Sequence, residues 1–455
     1  MKPKQDNQNP RKGSAFRRYR HLIRGAIIGY SCGVVAGFAM EKPLTGIILG
    51  IASGLLLGIA WWRQWNLWLR MFLLVAIGAF FVKICFDPIS DLLPRSRSDA
   101  PLAEQLQNAL DKHLKRYKVK GASAAIILPG GEMVIGVSGV SQDTVAMKPD
   151  MLFAIGSITK NVVDALTFKL AEEGMLSLED SLFKWLPRYP KVDSTITIRQ
   201  LLQHTSGLYM FWDNQKIWDD LKKYRNRAFT PEEVLTYLKE PYFPPGKSWH
   251  YSNTNYLLLA MIITKATGSS LAVEFRKRFW QPLGIENAYL SMEERIPDNL
   301  AHVWGDNFEN DGSLRDITFL PRTSHETITY GSSGLFMTAG DLAFWCQAVF
   351  TGKVLKQSSL AQMLSFNQEG YGLGVHLFSK RITNGVKAYG HGGGNIGTSA
   401  YMAYLPDFET TIVVMINAFH GKCLDRILED LIEIMANHWH QKNSRPLRRH
   451  DQSKI

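Results

Sequence analysis

The most informative segment of this 455-residue chain is Phe153-Ala154-Ile155-Gly156-Ser157-Ile158-Thr159-Lys160. Apolar residues recur at intervals of four from Ile158 to Leu170, a period that predicts a buried α-helix. Ser157 then lies in the first turn of this helix. Lys160 follows three positions later and is therefore predicted to be its neighbour on the helix surface.

The pairing of Ser157 with Lys160 fits nucleophilic catalysis. A serine hydroxyl is a weak nucleophile until a base removes its proton, and a lysine whose charge is disfavoured by burial is such a base. The same residues also fit an ordinary helix start, with the serine as N-cap and the lysine in solvent. Because the same spacing recurs at Ser181 and Lys184, the pair alone is weak evidence for catalysis.

Two further motifs follow along the chain. Tyr251-Ser252-Asn253 precedes an apolar helix and offers a phenol and an amide to a cleft, or else a packed ring and a helix N-cap. The other motif is Tyr389-Gly390-His391-Gly392-Gly393-Gly394-Asn395. Its glycines would let the backbone of a ligand approach a strand and leave N–H groups free for an anion, or would form a flexible strand end.

The N-terminal region has the composition of a membrane anchor. The net charge of +11 is concentrated before residue 24 and in the tail, and the N-terminal excess directly precedes three apolar stretches, at about 23–40, 44–62 and 67–86. Each is close to the roughly 20 residues that a bilayer span needs. A basic arm in this position is more typical of membrane orientation than of nucleic-acid binding.

These features divide the chain into five parts. They are a basic cytoplasmic arm (1–21), a membrane anchor of three transmembrane helices (22–87), a linker (88–100), a soluble domain (101–440) and a basic tail (441–455). Three spans place the two ends of the anchor on opposite sides of the membrane. We therefore predict a multi-pass protein of the cell membrane whose large domain is periplasmic or extracellular.

Strands are predicted at both ends of the large domain. Residues 122–128 and 133–140 form one predicted hairpin, and residues 398–405 and 410–417 form another. Helices are predicted from residue 102 to 114 and from 424 to 439, and the region 178–321 is mostly helical and rich in loops. This order predicts an α+β fold, with one antiparallel sheet flanked by the terminal helices and a helical subdomain.

Cysteines and histidines give no sign of a metal site. The sequence contains no zinc-spaced cluster and no nucleotide-binding loop, so we expect neither a metal nor another cofactor. The four cysteines form no disulfide framework, although a bridge between Cys346 and Cys423 stays possible. His302, His325 and His376 are scattered and are interpreted as surface or hydrogen-bonded residues.

Taken in order, Ser157-x-x-Lys160, Tyr251-x-Asn253 and His391-Gly392-Gly393 resemble the serine β-lactamase and penicillin-binding superfamily. The resemblance is to the branch of class C β-lactamases, D-alanyl-D-alanine carboxypeptidases, D-aminopeptidases and related esterases. It covers about residues 100–440 and does not cover the anchor. The same branch is matched by four further stretches, 198–208, 243–246, 331–335 and 338–342.

The resemblance implies a catalytic role for three residues. Ser157 would attack a carbonyl carbon and form an acyl-enzyme. Lys160 and Tyr251 would remove the serine proton and deliver it to the leaving group, and the sequence leaves open which of the two is the base.

The resemblance also implies a binding role for the residues around the nucleophile. Asn253 would hold Lys160 and the amide of the substrate, and His391, Gly392 and Gly393 would bind the substrate. The backbone N–H groups of Ser157 and Gly394 would form the oxyanion hole. His391 replaces the lysine of β-lactamases, which reduces the expectation of β-lactam hydrolysis.

The sequence thus predicts a membrane-anchored serine hydrolase for D-amino-acid peptides of the cell-wall type, esters or related amides. Two alternatives stay open: an inactive or ligand-sensing membrane protein, and a true β-lactamase. The predicted partners are a small-molecule or peptide substrate and the membrane, without nucleic acid. The oligomeric state is not predicted.

Overall fold

The computed structural model describes residues 100–306 and 314–444. The predicted arm and membrane anchor lie outside the described residues. Within those residues, no single helix is both long and apolar enough to cross a membrane. Only the bent pair Asn253–Thr267 and Leu271–Leu283, whose axes differ by 73°, reaches that length and apolarity together.

The described residues contain strands and helices from one end to the other. The strands are β1 Gly121–Ile127, β2 Met133–Gln142, β3 Val145–Ala146, β4 Phe153–Ala154, β5 Ala288–Leu290, β6 Trp304–Gly305, β7 Arg315–Asp316, β8 Leu335–Met337, β9 His376–Leu377, β10 Tyr389–Asn395, β11 Thr398–Leu405 and β12 Thr410–Ile416. The helices are α1 Leu102–Tyr117, α2 Thr159–Glu172, α3 Leu182–Trp185, α4 Ile198–Leu202, α5 Gln215–Lys223, α6 Pro231–Leu235, α7 Asn253–Thr267, α8 Leu271–Phe275, α9 Gln281–Leu283, α10 Thr323–Ile328, α11 Ala339–Phe350, α12 Gln357–Met363, α13 Lys380–Thr383 and α14 Gly421–Ser444.

The main sheet has seven antiparallel strands in the order β3-β2-β1-β12-β11-β10-β9. The first and last long strands are neighbours at its centre, with Ala124 opposite Val414. Every residue of β1 and of β12 is buried, because both faces of the sheet are covered. Strands from both ends of the large domain therefore pair within one sheet, and the predicted antiparallel α+β fold is confirmed.

Alternate residues of the central strands enter two different cores. Ala124 and Val414 pack with α1 and α14 on one face, whereas Ala125 and Val413 pack with the core that contains α2, α7 and α11 on the other. This alternation follows from the two-residue period of a strand. The last helix extends beyond its predicted bounds of 424–439 at both ends.

A second sheet, β4-β8-β5, was not expected from the sequence. Its strands have two or three residues, which is too short for the alternation that identifies a strand. It matters for function because β4 leads directly to Ser157, and Phe153 is paired with Met337 of β8.

The two cysteines in the described region do not form a disulfide. Cys346 of α11 and Cys423 of α14 are both buried free thiols. They belong to the cores on opposite faces of the main sheet, so the bridge that the sequence left possible is not formed.

Candidate active site

Ser157 lies in a tight 3-10 turn, Gly156–Ile158, which runs directly into α2. The strands on both sides hold this turn in place. The backbone N–H of Ile155 donates to Leu335 at 2.9 Å, and the hydroxyl of Thr398 donates to the carbonyl of Ala154 at 2.9 Å. The serine is half-buried at the start of a buried helix, as predicted.

The glycines of β10 admit this turn to the edge of the sheet. A Cβ atom on Gly393 would lie 1.9 Å from the carbonyl oxygen of Ile155 and 3.1 Å from the nitrogen of Ser157. A Cβ atom on Gly156, whose φ is +54°, would lie 2.6 Å from the nitrogen of Gly394. The sequence interpretation assigned these glycines to the approach of a ligand. In the structure they first permit the approach of the serine turn, which brings the backbones of Ser157 and Gly394 together.

Lys160 points at the serine hydroxyl from one turn along the helix. Its Nζ atom lies 2.9 Å from Ser157 Oγ and 2.9 Å from the carbonyl oxygen of Ser332. The side chain is fully buried. Burial lowers the pKa of the Lys160 ammonium well below its usual value, and the carboxyl of Asp164 only partly offsets that effect. At Ser181, by contrast, the nearby Lys184 is exposed and binds Asp180 instead.

Tyr251 completes the group of side chains around Ser157. The ring of Tyr251 lies 5.0 Å from the Lys160 ammonium. Burial raises the pKa of its phenol, and a hydrogen bond with Ser157 partly offsets this rise. The phenol is therefore protonated at neutral pH and is in contact with the serine that it would serve.

His204 fixes the segment that carries Tyr251. Its carbonyl oxygen accepts from the N–H of His250, and its Nδ1 accepts from the N–H of Ser252, each at 3.0 Å. The ring centres of His204 and Tyr251 lie 4.4 Å apart. Since Nδ1 accepts, the buried ring is neutral, and burial correspondingly lowers the pKa of His204. The sequence contained this residue only within the family-like stretch 198–208.

Asn253 does not hold Lys160 in the way that the resemblance implied. Its Oδ1 atom is buried and has no hydrogen-bond partner among the described residues. Lys160 is instead oriented by the carbonyl of Ser332. Asn253 begins α7, with Ser252 as the residue before the helix, so the amide is positioned by a helix start.

His391 belongs to a buried cluster of rings. Its Nδ1–H donates to the carbonyl of Gly392 at 2.6 Å, and its Nε2 lies 3.5 Å from the hydroxyl of Tyr371. The ring centre of His376 is 4.7 Å away. Burial lowers the pKa of His391 well below its usual value and that of His376 to about 4. His376, which was interpreted as an ordinary scattered histidine, is thus part of the site.

A buried carboxyl group extends this cluster beneath Lys160. Asp164 lies one helical turn after Lys160, and its Oδ2 accepts from the hydroxyl of Tyr256 at 2.7 Å. The Tyr256 hydroxyl lies 3.5 Å from that of Tyr371, which in turn approaches His391. Burial raises the pKa of Asp164 well above its usual value. Asp164 was not singled out from the sequence, although an acidic residue four positions after Lys160 on a buried helix is a signal that the two side chains lie close together.

An open cleft of about 430 Å³ lies beside these groups. Ser157, Tyr251, His376 and His391 line it together with Gly392, Gly393 and Gly394. Asn253 lies two positions after Tyr251 in the chain and is not among the residues that line this cleft. The structure thus brings together in one region the residues that the sequence singled out. No group of three or more metal-ligating side chains occurs in the described ranges.

Comparisons with known proteins bear on this arrangement. A family model described as Beta-lactamase matches residues 106–434. The chain belongs to this family. The match covers most of the described residues and contains every candidate site residue, so the predicted superfamily membership is confirmed.

Curated and solved relatives agree with this assignment. Penicillin-binding protein 4* of Bacillus subtilis is 29% identical over 286 residues, which cover 60% of this chain and 62% of that protein. Esterase EstB of Burkholderia gladioli is 27% identical over 306 residues, covering 60% of this chain and 76% of the esterase. The structure of a D-stereospecific amidohydrolase from Streptomyces has a TM-score of 0.62 and 27% identity, and covers 71% of this chain and 97% of that one.

These names place the chain among hydrolytic enzymes. The esterase and the amidohydrolase are hydrolases of different bonds. The chain spans less than two thirds of the length of the penicillin-binding protein that it matches. The family of the chain is therefore established.

Proposed function

We propose that this chain is a serine hydrolase that forms an acyl-enzyme at Ser157 and cleaves D-amino-acid peptides, related amides or esters. The observation that carries the proposal is the 2.9 Å separation of Lys160 Nζ and Ser157 Oγ at a buried helix start. Burial favours the neutral amine, and a neutral amine at that distance can accept the serine proton. The pair therefore has the geometry and the electrostatics of an activated nucleophile.

Lys160 is assigned as the base and Tyr251 as the group that passes the proton onward. Ser157 Oγ forms a bond to the carbonyl carbon while its proton moves to Lys160 Nζ. The bond from that carbon to the leaving nitrogen or oxygen then breaks, and the proton reaches the leaving atom through the Tyr251 hydroxyl. Water attacks the acyl-enzyme by the reverse proton path and releases Ser157.

The oxyanion that develops during attack is assigned to two backbone donors, the N–H groups of Ser157 and Gly394. The close approach of Gly156 to Gly394 places these two backbones side by side. Donors of this kind stabilise the transition state by about 3–4 kcal/mol each when they are prearranged. His391, Gly392 and Gly393 form the edge along which the substrate binds.

An extended substrate fits that edge. Strand β9 pairs with β10 only at Tyr389 and Gly390, so from His391 to Asn395 no described strand covers this side of β10. A peptide or amide can bind there through backbone hydrogen bonds. The D-stereospecific amidohydrolase and the esterase among the relatives support amides and esters as substrate classes.

For its location, we propose that the apolar stretches within residues 22–87 anchor the enzyme in the cell membrane with its catalytic domain outside the cytoplasm. The basic arm and the odd number of stretches support this orientation. An alkaline phosphatase fusion after Ala100 tests it, since that reporter is active only after export. A fusion that is active solely with a cytoplasmic reporter would refute the orientation.

The catalytic proposal is tested with two matched serine variants. We expect Ser157→Ala to abolish covalent labelling by a fluorophosphonate and to reduce hydrolysis by at least about 10⁴-fold, because it removes the nucleophile. Ser181→Ala, which alters the second serine–lysine pair, should leave both intact. Intact-mass spectrometry and a panel of D-Ala-D-Ala peptides, D-amino-acid amides, p-nitrophenyl esters and nitrocefin give the readouts. Equal loss in the two folded variants would refute the assignment.

A further inference from the structure

One side of the cleft beside Ser157 is lined by apolar side chains that take no part in the proposed chemistry. This apolar wall consists of Leu377, Phe378, Tyr401, Phe419 and Leu424. Phe419 is 76% exposed and Leu377 is 40% exposed at its rim. Phe378, Tyr401 and Leu424 line the cleft behind them. Isolated apolar residues on a surface need no explanation, but five apolar side chains that line one cleft beside Ser157 do.

Two glycines of β10 bring the rings of this wall against the strand. A Cβ atom on Gly394 would lie 2.5 Å from Cε2 of Phe419, and one on Gly392 would lie 2.6 Å from Cε1 of Tyr401. Both rings therefore cover backbone that carries no side chain. The absence of a side chain at these two positions therefore makes room for the two rings, whereas Gly393 between them faces the serine turn.

The ring of Tyr401 is held so that it presents its apolar face. Its hydroxyl donates to Asp425 at 2.8 Å, and Phe378 meets its ring edge-on with centroids 5.4 Å apart. The polar end of the tyrosine is thus satisfied away from the nucleophile. What faces the cleft from this residue is hydrocarbon.

The position of Phe419 assigns it to one side of the scissile bond. Tyr251 and His376 lie near the His391 end of β10, with ring centres 6.4 Å apart, whereas Phe419 covers Gly394 at the other end. The leaving group must lie near Tyr251, because it receives its proton there. The acyl part of the substrate then extends past Gly394 toward Phe419.

The cleft also lacks a counter-charge for an ionised substrate. No Asp, Glu, Lys or Arg is among the described residues that line it. Its two histidines, His376 and His391, are neutral at pH 7, since burial lowers the pKa of His376 to about 4 and that of His391 well below its usual value. A carboxylate in the apolar part of the cleft would lose hydration without gaining a partner.

We propose that Phe419, with Tyr401 behind it, forms an acyl subsite for uncharged substrates that carry an aliphatic or aromatic group next to the scissile carbonyl. The subsite rests on the proposed acyl-enzyme function of Ser157 and narrows its substrates. Each methylene that leaves water for this wall favours the bound acyl chain. Because the wall is open on one side, we expect roughly a twofold gain per methylene rather than the fourfold gain of full burial.

The test is a series of p-nitrophenyl esters from acetate to hexanoate, hydrolysed by the full-length chain, with the leaving group held constant. The ratio of kcat/KM for hexanoate to that for acetate should be roughly 10–20 in the unaltered protein. It should fall to about 3 or less in Phe419→Ala and stay near the original value in Phe419→Leu, which retains an apolar side chain. The control is Phe183→Ala, which truncates another phenylalanine that is 65% exposed and should leave the ratio unchanged.

The outcomes separate the subsite from the catalytic proposal. Fluorophosphonate labelling at Ser157 together with a reduced ratio in Phe419→Ala alone supports the subsite. Labelling at Ser157 with the same ratio in Phe419→Ala as in the unaltered protein overturns the subsite and leaves the catalytic proposal in place. A protein that is neither labelled at Ser157 nor active on any ester overturns both.

Discussion

Replacing Gly393 by alanine should damage catalysis far more than its single added methyl group suggests. The new Cβ atom would lie 1.9 Å from the carbonyl oxygen of Ile155. Non-bonded heavy atoms optimally lie about 3.5 Å apart, so β10 and the serine turn must separate by roughly 1.5 Å. The backbone of Gly393 does not have a positive φ, so alanine adds no conformational strain of its own. The whole effect therefore comes from this contact.

The expected magnitude follows from what the contact positions. The serine turn and Gly394 supply the two proposed oxyanion donors, and a displacement of about 1 Å in such a site costs about 10²-fold in rate. We expect kcat for p-nitrophenyl acetate to fall by about 10²–10³-fold, which is the effect of losing one oxyanion donor. Overpacking should also reduce the free energy of unfolding by about 1–3 kcal/mol.

The matched control is the neighbouring residue on the opposite face of the strand. Alanine at Gly392 would press against the ring of Tyr401 at 2.6 Å and not against the serine turn. Gly392→Ala should therefore lower stability by a similar amount but reduce kcat for acetate by less than about tenfold. Steady-state kinetics and urea unfolding give both quantities. A folded Gly393→Ala variant with the unaltered kcat would refute the assigned role of this approach.

Two further predictions concern the buried groups around Lys160. The pKa of His376 is about 4 in the folded chain and near 6.5 in the unfolded chain, so the unfolded state binds more protons between these values and the free energy of unfolding falls by up to about 3 kcal/mol as pH drops through this window. Urea unfolding at pH 7 and pH 4.5 should show a smaller fall in His376→Gln than in the unaltered protein. An equal fall in both proteins would contradict the lowered pKa of His376. Tyr256→Phe removes the hydroxyl that donates to the buried carboxyl of Asp164 and should lower the free energy of unfolding by about 1–3 kcal/mol. The control Tyr224→Phe, at an exposed tyrosine, should change the free energy of unfolding by less than about 0.5 kcal/mol. Similar changes in the two variants would show that the contact with Asp164 contributes nothing to stability.

The sequence located the proposed nucleophile and the lysine beside it, whereas residues from distant parts of the chain needed other signals. Ser157 and Lys160 are three residues apart on one helix, and helical geometry alone brings them together. Tyr251 and His391 lie about 90 and 230 residues farther along the chain, and they were identified through motif order and family resemblance. Asn253 was identified in the same way, and in the structure Lys160 bonds to Ser157 and to the carbonyl of Ser332, while Asn253 Oδ1 has no hydrogen-bond partner among the described residues.

Several residues of the site gave too little local signal to be found. His204 acts through its backbone carbonyl and one ring nitrogen on residues 46 to 48 positions away, which no spacing rule expresses. His376 lies on a strand of two residues, and Tyr371 contacts the rings of His204 and Tyr251, which lie more than 100 positions away in the chain. Such contacts depend on which loops the fold brings together, so the residues look ordinary in the sequence.

The features that could be read from the sequence are local: the period of the serine helix, the two hairpins of the large domain, and the charge and apolarity of the N-terminal region. Each of these depends on residues within a few positions of one another. Three further properties depend on the folded chain: how closely β10 approaches the serine turn, which way Gly392, Gly393 and Gly394 face, and the position of Phe419 over Gly394. Those properties depend on the close packing of segments that are distant in the chain, and a local sequence pattern contains no information on such packing.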